Sequence, residues 1–107
     1  MPAIPPDSAH MLEDASLAGQ DRHAPLSERS LSKLRWRCRR GLLENDLFIE
    51  RFFARHESRM TVGQARGMYA LMDLSDNDLM DLLLRRKALQ PEIGTDEVRE
   101  VLELLQA

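Results

Sequence analysis

The sequence predicts an all-α fold, a small five-helix bundle preceded by a disordered N-terminal tail, on three observations. From Ser27 onward apolar residues recur at helical spacing, and no alternating β-pattern competes with them. Ser27, Thr61, Ser75 and Thr95 stand where Ser and Thr cap the starts of helices. Four of the five prolines (Pro2, Pro5, Pro6 and Pro25) fall in the first 26 residues, which show no sustained apolar period. A chain of 107 residues makes one domain at most, divided into a tail over 1–26 and a bundle over 27–107. Segments with the tail's composition bury too little apolar surface to offset the entropy of ordering them.

The elements follow in order. The first helix is expected over residues 27–40, with Leu31, Leu34 and Cys38 along one face. The second is expected over 42–56, and its apolar set (Leu43, Leu47, Ile49, Phe52, Phe53) is broad enough for the centre of a bundle. The third begins after Thr61 and sets Val62, Ala65, Met68 and Met72 at helical spacing. Ser75-Asp76-Asn77-Asp78 opens the fourth with acids at the positive end of the helix dipole, and Arg85-Arg86-Lys87 is expected to close it at the negative end. Pro91 and Gly94 punctuate the next loop. Thr95-Asp96-Glu97 starts the fifth, with Val98, Val101, Leu102 and Leu105 at i, i+3, i+4 and i+7.

Charge is segregated along the chain. Residues 1–26 carry one basic group against four acidic, residues 27–59 nine against five, and residues 60–107 five against nine. The basic segment gathers Arg29, Lys33, Arg35, Arg37, Arg39 and Arg40, which would attract an anionic partner such as nucleic acid, a membrane surface or an acidic protein. The single cysteine excludes an internal disulfide and suits a reducing cytosol. No apolar run approaches the ~18 residues of a membrane span. Neither a signal peptide nor a mitochondrial presequence is expected, since no basic start leads into a hydrophobic stretch and Glu13, Asp14 and Asp21 are acidic. Catalytic patterns are missing too. There is no P-loop, the three histidines are scattered, and Gly63-x-x-x-Gly67 reads as close helix packing rather than as a nucleotide or membrane motif.

One stretch asks for more than packing: Trp36-Arg37-Cys38-Arg39-Arg40-Gly41-Leu42-Leu43-Glu44-Asn45-Asp46. A glycine inside a helix costs about 1 kcal/mol against alanine, so Gly41 marks a chain turn or a close approach by something else. As an ordinary C-cap it implies nothing further. Yet Arg40 and Glu44 stand four apart, and as an exposed pair they would stabilise the fold by only about 0.3–0.5 kcal/mol. A bare glycine between an arginine fork and a carboxylate also makes a workable docking surface, with Trp36 as an apolar anchor. On residue chemistry alone the two readings stand level.

Arg40-Gly41-Leu42-Leu43-Glu44 matches the Arg-Gly-x-x-Glu signature of the succinate dehydrogenase assembly and flavinylation factors, the SdhE/YgfY family, which this chain resembles over residues 28–106. The wider match takes in Trp36, Cys38, Arg39, Asp46, Phe52-Phe53 and Asp76-x-Asp78-Leu79. Two departures concern local packing. Leu82 falls where the family often has tryptophan, and Asn45 where an apolar residue is common. The resemblance implies a bacterial, cytoplasmic assembly factor or chaperone with no catalytic residues of its own. Its partner would be the flavoprotein subunit of succinate dehydrogenase, and in some bacteria that of fumarate reductase. It would promote covalent attachment of FAD to that subunit. Arg40, Gly41 and Glu44 would carry the docking, with Trp36, Arg39 and Asp46 as supporting contacts. Expected beside this are no metal and no membrane insertion on the residues themselves, no stably bound cofactor in so small a core (FAD being handled on the partner), no nucleic acid and a monomer when free. The alternatives are a nucleic-acid-binding helical module, supported by the basic row from Arg29 to Arg40, and an antitoxin or adaptor protein.

Overall fold

The structure of the chain, a computed structural model, describes residues 15–39 and 43–107, and at Leu43 the backbone alone. Among the described residues there are five α-helices and no named strand: α1 Glu28–Arg37, α2 Leu43–His56, α3 Val62–Met72, α4 Asp76–Leu83 and α5 Asp96–Gln106. Short 3-10 turns occupy Ala15–Leu17, Glu57–Arg59 and Pro91–Ile93. Each of the four expected caps accepts a hydrogen bond from the first turn of its helix. Ser27 Oγ accepts from Ser30 N, Thr61 Oγ1 from Gln64 N, Ser75 Oγ from Asp78 N and Thr95 Oγ1 from Val98 N.

α3 lies across α5 as the tightest helix pair, and α1, α2 and α4 pack around them. The centre is made by Leu34 of α1, Phe52 of α2, Met68, Leu71 and Met72 of α3, Leu79 of α4, and Val101 and Leu105 of α5. Gly67 explains the closeness of α3 and α5, because a Cβ there would sit 2.5 Å from the Glu97 carbonyl oxygen. Of the Gly63-x-x-x-Gly67 pattern, Gly67 is thus the helix-packing residue that was expected, whereas Gly63 makes room for the backbone and side chain of Arg22, which precedes α1.

Three expectations change. α1 ends at Arg37 rather than Arg40: the Cys38 amide makes the last i−4 bond, to the Leu34 carbonyl (2.9 Å), and the Arg39 amide tightens onto the Trp36 carbonyl three residues back (3.3 Å). α4 ends at Leu83, so Arg85-Arg86-Lys87 lies beyond the helix. Arg85 takes a left-handed φ of 62°, which lets the amides of Arg86 and Lys87 reach the Asp81 carbonyl. Leu47, assigned to the core, is 59% exposed, since the buried arc of α2 runs through Asn45, Ile49, Phe52 and Phe53.

The largest correction concerns the tail. Residues 1–14 lie outside the described residues, but residues 15–26 are a strap packed on the bundle rather than a disordered segment. Leu17 is only 3% exposed. The backbone of the strap runs antiparallel beside the start of α3, with Leu26 N donating to Met60 O (2.9 Å) and a bridge between Pro25 and Thr61. Val62 N donates to Ala24 O and Gly63 N to Arg22 O, both at 2.9 Å. The capping box takes the other two donors, Gln64 N through Thr61 Oγ1 and Thr61 N through Gln64 Oε1. All four amides that an α-helix start leaves without intrahelical partners are therefore satisfied, two of them by the strap. Arg66 closes the arrangement. Its guanidinium donates to the carbonyls of Leu17 (2.9 Å) and Gln20 (3.0 Å) and to the Glu97 carboxylate (2.8 Å).

Candidate functional site

The region around the end of α1 and the start of α2 is held by two polar clamps. On the α1 side, Arg37 Nη2 donates to Met72 O and to Asp73 Oδ1, each at 3.0 Å, which satisfies a carbonyl at the C-terminal end of α3. On the α2 side, Asn45 is fully buried and its Nδ2 donates to Asp76 O at 3.0 Å, which ties the start of α2 to the start of α4. The departure at Asn45 is thus a structural tie. It comes at a cost, because Asn45 Oδ1 is buried without a hydrogen-bond partner among the described residues, a deficit of about 1–3 kcal/mol. Leu82, the other departure, is buried, and its carbonyl accepts from Gln106 Nε2 at 2.8 Å.

Between the clamped helices runs an open groove of 850 Å³. On the α1 wall stand Arg35, Trp36 and Arg39, and on the α2 wall Asp46, Ile49, Glu50 and Phe53. Trp36 is 64% exposed, which is unusual for so large an aromatic side chain, and the Arg39 guanidinium lies 5.8 Å from its ring centroid. At the far end Arg35 pairs with Glu57 and lies 5.7 Å from the Phe53 ring centroid. Cys38 is buried against the groove. The structure therefore brings Trp36, Arg39 and Asp46 to one surface. Glu44 is exposed in the first turn of α2 and does not line the groove. Arg40 and Gly41, together with Leu42, lie outside the described residues.

Sequence reasoning did not single out Glu50, Arg35 or Glu57 for this surface. The signal was present as helical spacing, because Asp46 and Glu50 are four apart, as are Ile49 and Phe53. The row of basic residues is also less uniform than its composition suggests. Arg35 is neutralised by Glu57 and Arg37 by Asp73, and the carboxylates of Asp46 and Glu50 line the groove wall opposite Arg35 and Arg39. Arg35 and Arg37, each paired with a carboxylate, are therefore not free to extend a cationic face of the kind that tracks a phosphate backbone. Among the described residues no cluster of three or more His, Cys, Asp or Glu could hold a metal ion, and no helix is long and apolar enough to cross a membrane.

This arrangement can be set beside known proteins. No solved structure matches the chain significantly. A protein of Ralstonia nicotianae called FAD assembly factor SdhE is 50% identical over 76 residues, covering 71% of this chain and 80% of that protein. A protein of the same name from Legionella pneumophila is 32% identical over 68 residues, covering 64% of this chain and 86% of its own length. Another from Coxiella burnetii is 40% identical over 52 residues, covering 49% of this chain and 63% of that protein. A family model described as the flavinator of succinate dehydrogenase matches residues 32–107, from the middle of α1 to the end of the chain, and this chain belongs to that family.

Proposed function

We propose that this protein binds the flavoprotein subunit of succinate dehydrogenase through the surface at the α1–α2 end and promotes covalent attachment of FAD to it. The observation that carries the reading is the exposed Trp36, backed by Arg39 and set beside a groove that two clamps hold open. A tryptophan exposed to this degree adds nothing to the core, and such residues are common anchors at protein interfaces. The family membership and the names of the relatives supply the partner.

In this reading the chain is not an enzyme. The covalent bond joins the flavin to a histidine of the subunit, so no nucleophile is asked of the assembly factor. Its own residues bind and orient. Arg40 and Glu44 fix register by charge-assisted hydrogen bonds, Gly41 admits the partner's backbone, and Trp36 and Arg39 support the contact. Binding one conformer of the subunit better than others shifts the population toward it. A histidine held against the flavin then reacts at a high effective concentration. FAD is held by the partner, and the assembly factor itself binds none stably and acts as a monomer in the cytoplasm.

The test is the variant Gly41→Arg. Coexpressed with the flavoprotein subunit, it should leave the subunit without covalent flavin when the denatured protein is examined for in-gel fluorescence, while its own circular dichroism and melting stay those of the parent chain. Normal covalent flavin with Gly41→Arg would overturn the reading.

A further inference from the structure

We infer that the groove between α1 and α2 receives an arginine-bearing segment of the partner, with the arginine held by Asp46 and Glu50. The inference rests on the docking reading above and specifies the chemistry that the partner must present.

Some charges of the fold are answered within it and others are not. Arg35, Arg37 and Arg66 each meet a carboxylate within the fold. Asp46 and Glu50 line the α2 wall of the groove and form no ion pair among the described residues. They stand one helical turn apart, a like-charge spacing that destabilises a helix by a few tenths of a kcal/mol, roughly the reverse of a favourable pair. The helix dipole accounts for Asp46, which lies in the first turn of α2. It does not account for Glu50, which lies beyond that turn. A cation placed between the two carboxylates relieves the repulsion and completes both.

Charge alone at an exposed site contributes little, commonly under ~1 kcal/mol for a pair. The groove changes that estimate through its apolar parts. Ile49 and Phe53 form the buried side of the same wall, and Trp36 projects from the wall opposite. A segment lying there would have its apolar side chains covered by Trp36 and its cation partly withdrawn from water, where a charge-assisted pair is stronger. Arg39 keeps the α1 side positive and so directs an incoming cation to the α2 wall. Arginine fits better than lysine, because its planar fork can donate to two carboxylates at once while a lysine acts as a point charge. The occupant is therefore amphipathic, with an arginine beside apolar residues.

The experiment measures the affinity of the full chain for the purified flavoprotein subunit of succinate dehydrogenase at low and at near-physiological salt. The double variant Asp46→Asn, Glu50→Gln should bind about tenfold more weakly at low salt and with a flatter salt dependence. Its melting temperature should change by no more than a few degrees, because the lost helix-dipole contact of Asp46 and the relieved repulsion with Glu50 oppose each other. A control with the same change in net charge, Glu92→Gln with Glu103→Gln, removes carboxylates that do not line the groove and should bind as the parent does. Parental affinity in the double variant, with binding abolished in Gly41→Arg, would overturn the inference and leave the docking reading standing. An equal loss in the control, or tighter binding by the double variant, would overturn it as well. The latter would mean an acidic occupant facing Arg39. A dimer of the chain alone that the double variant dissolves, seen by sedimentation, would assign the groove to a second copy and overturn the inference. No binding by the parent chain would sink both readings together.

Discussion

The two ends of this small bundle are finished in opposite ways. Where α3 starts, every polar group has been answered: four helix-start amides have acceptors, Arg66 spans the strap and α5, and Gly67 lets two backbones meet. Where α1 ends, there stand a tryptophan in water, two carboxylates without ion pairs among the described residues and a groove between helices. Marginal stability permits such openness only if it is offset elsewhere, since a folded domain is stable by only about 5–15 kcal/mol. The closed end supplies rigidity, and the open end is presented by it. The clamps at Arg37 and Asn45 are the link, because they fasten the open end to α3 and α4.

Substitutions that break one end should leave the other alone, and the largest effect is expected at Gly67. Gly67→Leu drives a side chain into the Glu97 backbone and should lower stability by about 3 kcal/mol, or roughly 10–20 °C in melting temperature. Denaturant unfolding followed by circular dichroism measures this, and a change under ~1 kcal/mol would mean that α3 and α5 are not in close contact. Leu17→Ala should cost about 2 kcal/mol in the same assay, since it empties a buried position under the strap. Unchanged melting would return residues 15–26 to the status of a passive tail. Trp36→Ala reverses the pattern. With most of the side chain in water it should alter stability by no more than ~0.5 kcal/mol, yet weaken binding to the flavoprotein subunit about tenfold. A large loss of stability there would place Trp36 in the core and erase the contrast between the ends.

What could be read in advance follows the range of the interactions. Caps at Ser27, Thr61, Ser75 and Thr95 are decided within three residues of chain, so residue chemistry located them. The apolar stripe of α5 is likewise local, and Val98, Val101, Leu102 and Leu105 are all buried. The strap was hidden because its partners lie about 40 residues away and its hydrogen bonds are made by backbone, which carries no sequence signature. The prolines of residues 1–26 argued for disorder, yet Pro25, the one that falls in the strap, sits at an edge with no need of its missing amide. Leu47 was misjudged because hydrophobicity cannot say which arc of a broadly apolar helix meets the bundle. For the candidate site, Trp36, Arg39 and Asp46 came from the family signature, whereas the spacing of Asp46 and Glu50 was legible but their place opposite Trp36 in one groove shows only when two helices are set side by side.

The position of the single tryptophan also decides what light can report about this protein. The core holds phenylalanine and tyrosine but no indole, and the only indole stands in solvent at the end of α1. Its emission in the native chain should already resemble that of a solvated tryptophan, so an unfolding curve followed by tryptophan fluorescence would be nearly flat while the helices melt. The same emission should shift to shorter wavelength when a partner covers α1. This chain is optically almost blind to its own folding and sensitive to being bound.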